Sequence, residues 1–263
     1  MIAKHLKAIT KYPEVNEILV YWAGKAQKAI GQNLLGLYLF GSLAYGDFVP
    51  KRSDIDLMAV TKEPLSSIEL EKIKQLHLNI EEKFPAWRGR IECSYLPKNL
   101  MNEKLPPKQT RPYFGNSTWY DGADYGNEWL INQYFLYHSS MVLVGPEYKS
   151  LMVTPPDLCE VQKASIRDLF DEWKPKINDA LWLENSHYQS YLVLNLCRIL
   201  YTMDNAKLGS KKVAAEWVKK TFTKWYGLIE EAEAWDYSKE MKQQEKAIEF
   251  LRFVIKHVSR RNF

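Results

Sequence analysis

The chain has 263 residues, enough for one large domain or two of ordinary size, and its 46% apolar and 26% charged content is that of a folded globular protein. A net charge of +4, with no block of Lys and Arg before Arg260-Arg261, argues against a nucleic-acid partner. Three scattered cysteines (Cys93, Cys159 and Cys197) exclude a disulfide framework or zinc spacing, and no run of about 18 apolar residues is available to span a membrane.

Met1–His5 carries no apolar stretch of signal-peptide length, so a cytoplasmic location is expected. Pro13-Glu14 then opens a helix, with proline at an early position and a carboxylate at the positive end of the dipole, and the pattern runs to about Gly31. Residues 34–42 and 54–60 read as apolar strands. Ser66 with Glu69 forms a capping-box pattern. The helix it opens places Ile73, Leu76, Ile80 and Phe84 on one face. Arg90–Leu96 reads as a third strand, ended by Pro97. Residues 98–126 shift to Pro, Gly, Asn and aromatics, which predicts a long functional loop. No strand pattern follows Gly145-Pro146. Leu192, Leu196, Ile199 and Leu200 make one helical face, and Ile248, Leu251, Ile255 and Val258 make another. The expected fold class is α+β, with a small mixed-sheet domain over 1–156 and an all-α helical bundle over 157–263.

Two motifs carry the chemistry. Gly41-Ser42 closes the first strand, and Ser53-Asp54-Ile55-Asp56-Leu57 opens the second. Side chains two apart on a strand share a face, so Asp54 and Asp56 point the same way while Ile55 and Leu57 can face a core. Two carboxylates on an apolar strand are costly unless a cation compensates them, and hard oxygen ligands at short spacing suit Mg²⁺ that shares its other positions with phosphates. Gly41 allows close backbone approach, and Ser42 offers a hydroxyl and an N–H to a phosphate oxygen. Taken singly, Gly-Ser is an ordinary turn and Asp-x-Asp an exposed edge or Asx turn; their conjunction at the ends of consecutive strands describes a nucleoside-triphosphate site. Glu92 is an acidic residue in an otherwise buried-looking strand. It reads either as an edge charge or, if its strand lies beside the Asp pair, as a general base with a pKa raised by burial and like charges.

Gly41-Ser42, Ser53–Asp56 and Glu92 together resemble the nucleotidyltransferase superfamily of the DNA polymerase β-like fold. Three further segments are similar to the aminoglycoside adenylyltransferases that modify streptomycin and spectinomycin. They are Glu128-Trp129-Leu130 running through to Val142–Pro146, Leu194–Arg198, and Lys211–Trp217. The resemblance implies that Gly41, Ser42 and Ser53 bind ATP, that Asp54 and Asp56 bind Mg²⁺, and that Glu92 is the catalytic base. It adds Glu128 as an ATP contact, Lys211 as a triphosphate contact and Trp119 as an acceptor contact. The implied reaction moves AMP from Mg-ATP to a hydroxyl of a small molecule, releasing pyrophosphate. An aminoglycoside or aminocyclitol antibiotic is the first acceptor expected, in a monomer or weak homo-oligomer. Where streptomycin-modifying members carry an acidic segment, this chain reads Tyr188-Gln189-Ser190-Tyr191, which leaves the acceptor open. Two alternatives stand beside this reading: modification of a protein or tRNA in toxin–antitoxin fashion, and a non-catalytic nucleotide-binding module.

Overall fold

A computed structural model describes residues 8–179 and 181–260; Met1–His5 and Arg261, read above, lie outside the described residues. Contacts divide the chain into two compact units. One comprises residues 1–48, 53–126 and 132–156, and the other residues 49–52, 127–131 and 157–263. No described helix is long and apolar enough to cross a membrane.

In the first unit, α1 (Pro13–Ile30) starts with Pro13 and Glu14 and stops at Gly31 with φ +63°. It is followed by β1 (Leu34–Phe40), the short α2 (Gly41–Tyr45), β2 (Ile55–Thr61), α3 (Ser67–Lys83) and β3 (Ile91–Pro97). The capping box at the start of α3 forms as the sequence predicts: the Ser66 side chain accepts from the Glu69 N–H, and Glu69 Oε2 accepts from the Ser66 N–H at 2.7 Å. Residues 98–126 do not form one long loop. They contain a hairpin of β4 (Arg111–Gly115) and β5 (Thr118–Ala123), joined by Asn116 and Ser117 with φ of +53° and +58°. Positive φ at both central residues matches the right-handed twist of paired strands, and Asn tolerates it. Pro112, Gly115 and Gly122 inside these strands hid the pattern from the sequence. The unit ends with α4 (Trp129–Ser139), whose first residues group with the second unit, and β6 (Met141–Val144).

Among the described residues, six strands form one mixed sheet in the order β5-β4-β3-β2-β1-β6. Only β2 and β3 are parallel, as their connection through α3 requires. Leu37, Leu39, Ile55, Leu57, Ile91 and Cys93 lie on one face and pack with Ile18, Leu19 and Trp22 of α1 and Ile73 of α3, all at most 1% exposed. The alternating residues Tyr38, Asp56, Met58, Glu92 and Ser94 therefore stand on the other face.

The second unit is helical: α5 (Leu158–Arg167), α6 (Ser186–Asn205), α7 (Lys211–Thr221), α8 (Tyr226–Ala234) and α9 (Gln244–Val258). α6 is its axis, with Leu192, Val193, Leu196, Cys197 and Leu200 fully buried against Ala214, Ile229 and Leu251. Lys219, only 7% exposed, is held by Glu216, Glu230 and Glu233, so its charge is compensated where it is buried. Cys93 and Cys197 are buried free thiols, and Cys159 is an exposed one.

Candidate active site

The strand register brings two of the sequence-predicted carboxylates together. Asp56 is paired with Phe40 of β1 on one side and with Glu92 of β3 on the other. Both acids stand on the face that α1 and α3 leave uncovered. Ile55 and Leu57 on β2, and Ile91 and Cys93 on β3, turn into the core and fix that orientation.

Gly41 follows β1 directly and adopts φ +66°, a left-handed conformation that glycine takes without strain. A Cβ built there would lie 1.9 Å from Asp56 Oδ2. The missing side chain of Gly41 is thus the space that the Asp56 carboxylate occupies. Ser42 enters α2 one residue later, and its carbonyl accepts from the N–H groups of Gly46 and Asp47. Those bonds fold residues 41–47 back into a compact turn beside the acids.

Asp54 immediately precedes β2, two residues from Asp56. Arg90 lies 3.9 Å from Asp54 Oδ1, and its guanidinium also donates to the Ser53 carbonyl. Its carbon sits 4.6 Å over the Trp87 ring, which holds the arginine in place. One cation therefore fixes the backbone at Ser53 and balances Asp54. Asp54 and Asp56 are hard oxygen donors two residues apart, the donor type that Mg²⁺ takes when a nucleotide and water complete its shell. No group of three or more His, Cys, Asp or Glu side chains among the described residues is placed to hold a metal by itself. A metal here would rest on the two aspartates and draw its other ligands from phosphate and water.

Two residues that the sequence reading passed over belong to the same face. Tyr113 is paired with Ser94. Its phenol is pushed far above its usual range, first by burial and then by the charges of Glu92 and Asp56. Arg111 Nε donates to Ser94 Oγ at 3.1 Å, and its guanidinium packs 4.4 Å over Tyr125 and 5.3 Å from the Tyr113 ring. The signal was the alternation Arg111, Tyr113, Gly115 ahead of an Asn turn, concealed by Pro112.

Trp119 is not brought to this face. It pairs with Phe114, which pairs with Cys93, so it belongs to the core side of the sheet. Its ring packs 5.9 Å from His77 and 6.0 Å from Tyr95. The hairpin register turns this indole, expected to contact the acceptor, to the face opposite Asp56 and Glu92.

Glu128 and Lys211 belong to the second unit. Glu128 immediately precedes α4, and its charge is felt by the buried Asp168. Burial raises the Asp168 carboxyl to about 6, although Trp173 Nε1 donates to it at 2.7 Å and Arg198 pulls the other way. Lys211 opens α7 behind the Ser210 cap, with Nζ 4.1 Å from the Tyr191 ring centroid. Around it Tyr188 stacks on Trp182 at 4.7 Å, and Tyr191 lies 5.8 Å from Trp173. The segment that is acidic in streptomycin-modifying enzymes is here aromatic.

The chain is similar to known proteins over most of its length. Residues 25–105 match the nucleotidyltransferase domain family, and residues 160–260 match the aminoglycoside adenylyltransferase C-terminal domain family. The spectinomycin 9-adenylyltransferase of Campylobacter jejuni is 27% identical over 230 residues, covering 80% of this chain and 79% of that protein. The Staphylococcus aureus spectinomycin 9-adenylyltransferase is 25% identical over 199 residues, 71% of each. The crystal structure of the spectinomycin adenyltransferase AAD(9) from Enterococcus faecialis, with ATP and spectinomycin, shares the fold. Its TM-score is 0.72 at 17% identity, over 92% of this chain and 98% of that one. The succession of the two matched domains and the relatives that match over most of their length lead to one assignment: the chain is an aminoglycoside adenylyltransferase-like member of the nucleotidyltransferases.

Proposed function

We propose that this nucleotidyltransferase moves AMP from Mg-ATP to a hydroxyl of an aminocyclitol or aminoglycoside, with spectinomycin the first acceptor. The observation that carries the reading is the pairing of Asp56 with Glu92 on adjacent strands, backed by a glycine that yields its side-chain space to Asp56. Asp54 and Asp56 would hold Mg²⁺, which when bound offsets the charge of the triphosphate. Glu92 takes the proton of the acceptor hydroxyl. The freed oxygen attacks the α-phosphorus, a new P–O ester bond forms, and the bond to the bridging oxygen breaks as pyrophosphate leaves. Ser42 and Ser53 are the proposed polar contacts to the nucleotide on the first unit; the resemblance adds Glu128 and Lys211. We propose residue 156 as the boundary between the catalytic and helical domains.

Spectinomycin is favoured over streptomycin because a polycationic guanidino sugar calls for carboxylates. The segment Tyr188–Tyr191 supplies aromatic rings beside Lys211 instead. The relatives' names point the same way. The test is pyrophosphate release from ATP and MgCl₂ with spectinomycin, streptomycin and a lincosamide, each alone, alongside labelled ATP with cellular protein and RNA pools. Release that depends on spectinomycin and disappears in Glu92→Gln supports the proposal. Label appearing only on macromolecules would sink the small-molecule acceptor, and turnover by Glu92→Gln at the full rate would sink the base.

A further inference from the structure

We propose that Tyr113 is a positioning residue of this site, whose hydroxyl, laid over Gly115, holds the carboxylate of Glu92 in the orientation from which it accepts the acceptor's proton. This rests on the reading of Glu92 as the base. β3 and β4 pair Ser94 with Tyr113 and Cys93 with Phe114. One further step in that register sets Gly115 opposite Glu92. Gly115 offers no side chain to its neighbour, and the Tyr113 phenol fills the gap from two residues away on the same face. The packing is close: a Cβ built on Gly115 would lie 2.4 Å from the Tyr113 hydroxyl. The row across the sheet therefore runs Phe40, Asp56, Glu92, then a glycine whose side-chain space is taken by a phenol hydroxyl that feels the Glu92 charge.

The physical need is plain. A carboxylate on a Glu side chain has free torsions that a strand does not restrain, and Asp56 beside it repels it. A base in the wrong rotamer leaves the hydroxyl proton without an acceptor, and a misplacement of about 1 Å costs roughly a hundredfold in rate. A single donor from a stiff aromatic ring selects one rotamer while leaving the second carboxylate oxygen for the substrate. The burial that raises the phenol's pKa keeps it protonated, hence a donor, throughout the working pH range.

Tyr113→Phe removes the hydroxyl and keeps the ring. We expect kcat to fall roughly 10- to 100-fold while the KM for ATP and the Tm stay near wild type. Gly115→Ala, which displaces the hydroxyl without removing it, should reproduce the loss. In a Glu92→Gln background Tyr113→Phe should change the residual rate no further, because Tyr113 acts only through Glu92. A second readout needs no acceptor. With ¹³Cζ-tyrosine incorporated into the full chain, the Tyr113 resonance, identified by its loss in Tyr113→Phe, should move in Glu92→Gln. Tyr113→Phe at wild-type kcat, alongside a dead Glu92→Gln, would overturn the inference and leave the base intact. Additive losses in the double variant, or an unmoved resonance, would also overturn it. A fully active Glu92→Gln removes the base and this inference together. If no antibiotic is turned over, only the acceptor falls, and the resonance still decides the contact.

Discussion

Gly41→Ala is the substitution on which the geometry speaks most sharply. It has two costs. At φ +66° an L-residue sits in the left-handed region, a penalty of about 1–2 kcal/mol in stability. In a protein of this size that lowers Tm by roughly 2–8 °C. The added methyl would also lie 1.9 Å from Asp56 Oδ2, where ordinary contact begins at 3.4 Å, so the carboxylate must retreat by about 1.5 Å. A displacement of that order in a group that places a reacting centre costs about a hundredfold or more in kcat. Gly46→Ala separates the two costs. Gly46 has φ +87° and nothing within 4 Å of an added Cβ, so it carries the backbone penalty without the clash. Thermal melts and pyrophosphate-release kinetics on both variants should show similar losses of Tm, but a collapse of kcat in Gly41→Ala alone. Equal kcat in the two variants would refute the argument that the space at Gly41 exists for Asp56.

Asp54→Asn and Asp56→Asn should each abolish the Mg²⁺ dependence of ATP binding in calorimetry while leaving the fold intact; magnesium-dependent uptake that survives both would remove the metal from this pair. Trp119→Ala should cost about 1–3 kcal/mol of stability through lost packing on His77 and Tyr95, with the KM for the acceptor unchanged; a raised acceptor KM at constant Tm would return Trp119 to the site. His77 is fully buried, with Nε2 2.7 Å from the Tyr95 hydroxyl, and burial lowers its pKa to about 3 against 6.5 when exposed. Below about pH 6.5 the unfolded chain therefore binds a proton that the fold refuses, so stability falls with pH toward 3, by up to about 1.4 kcal/mol per pH unit, and is unaffected by this group at higher pH. The difference in denaturation midpoint between wild type and His77→Phe should vary with pH in that window and be flat above it; a constant difference would mean the imidazole takes up its proton in the fold as readily as in the unfolded chain.

Much of the first unit was legible from local patterns. The start of α1 follows from Pro13 and Glu14, and α3 begins where Ser66 and Glu69 cap each other. β1, β2 and β3 came within two residues of their observed bounds because apolar runs and Pro97 delimit them. The placement of Asp56 opposite the core face that Ile55 and Leu57 occupy is a consequence of strand periodicity alone. The hairpin Arg111–Ala123 was not legible. A proline and two glycines disrupt its pattern, and its stability comes from pairing with β3 rather than from its own residues.

Amino-acid order by itself therefore determined which acids exist, their spacing along each strand, and the helices that cover one side of the sheet. Tertiary structure alone decided that Glu92 stands beside Asp56, because that neighbour is chosen by the parallel pairing that α3 makes possible. It also decided that Tyr113 stands on the face of Glu92 while Trp119 turns to the core. Both outcomes are matters of register, and in a structure with a two-residue period a slip of one position carries every side chain to the opposite face.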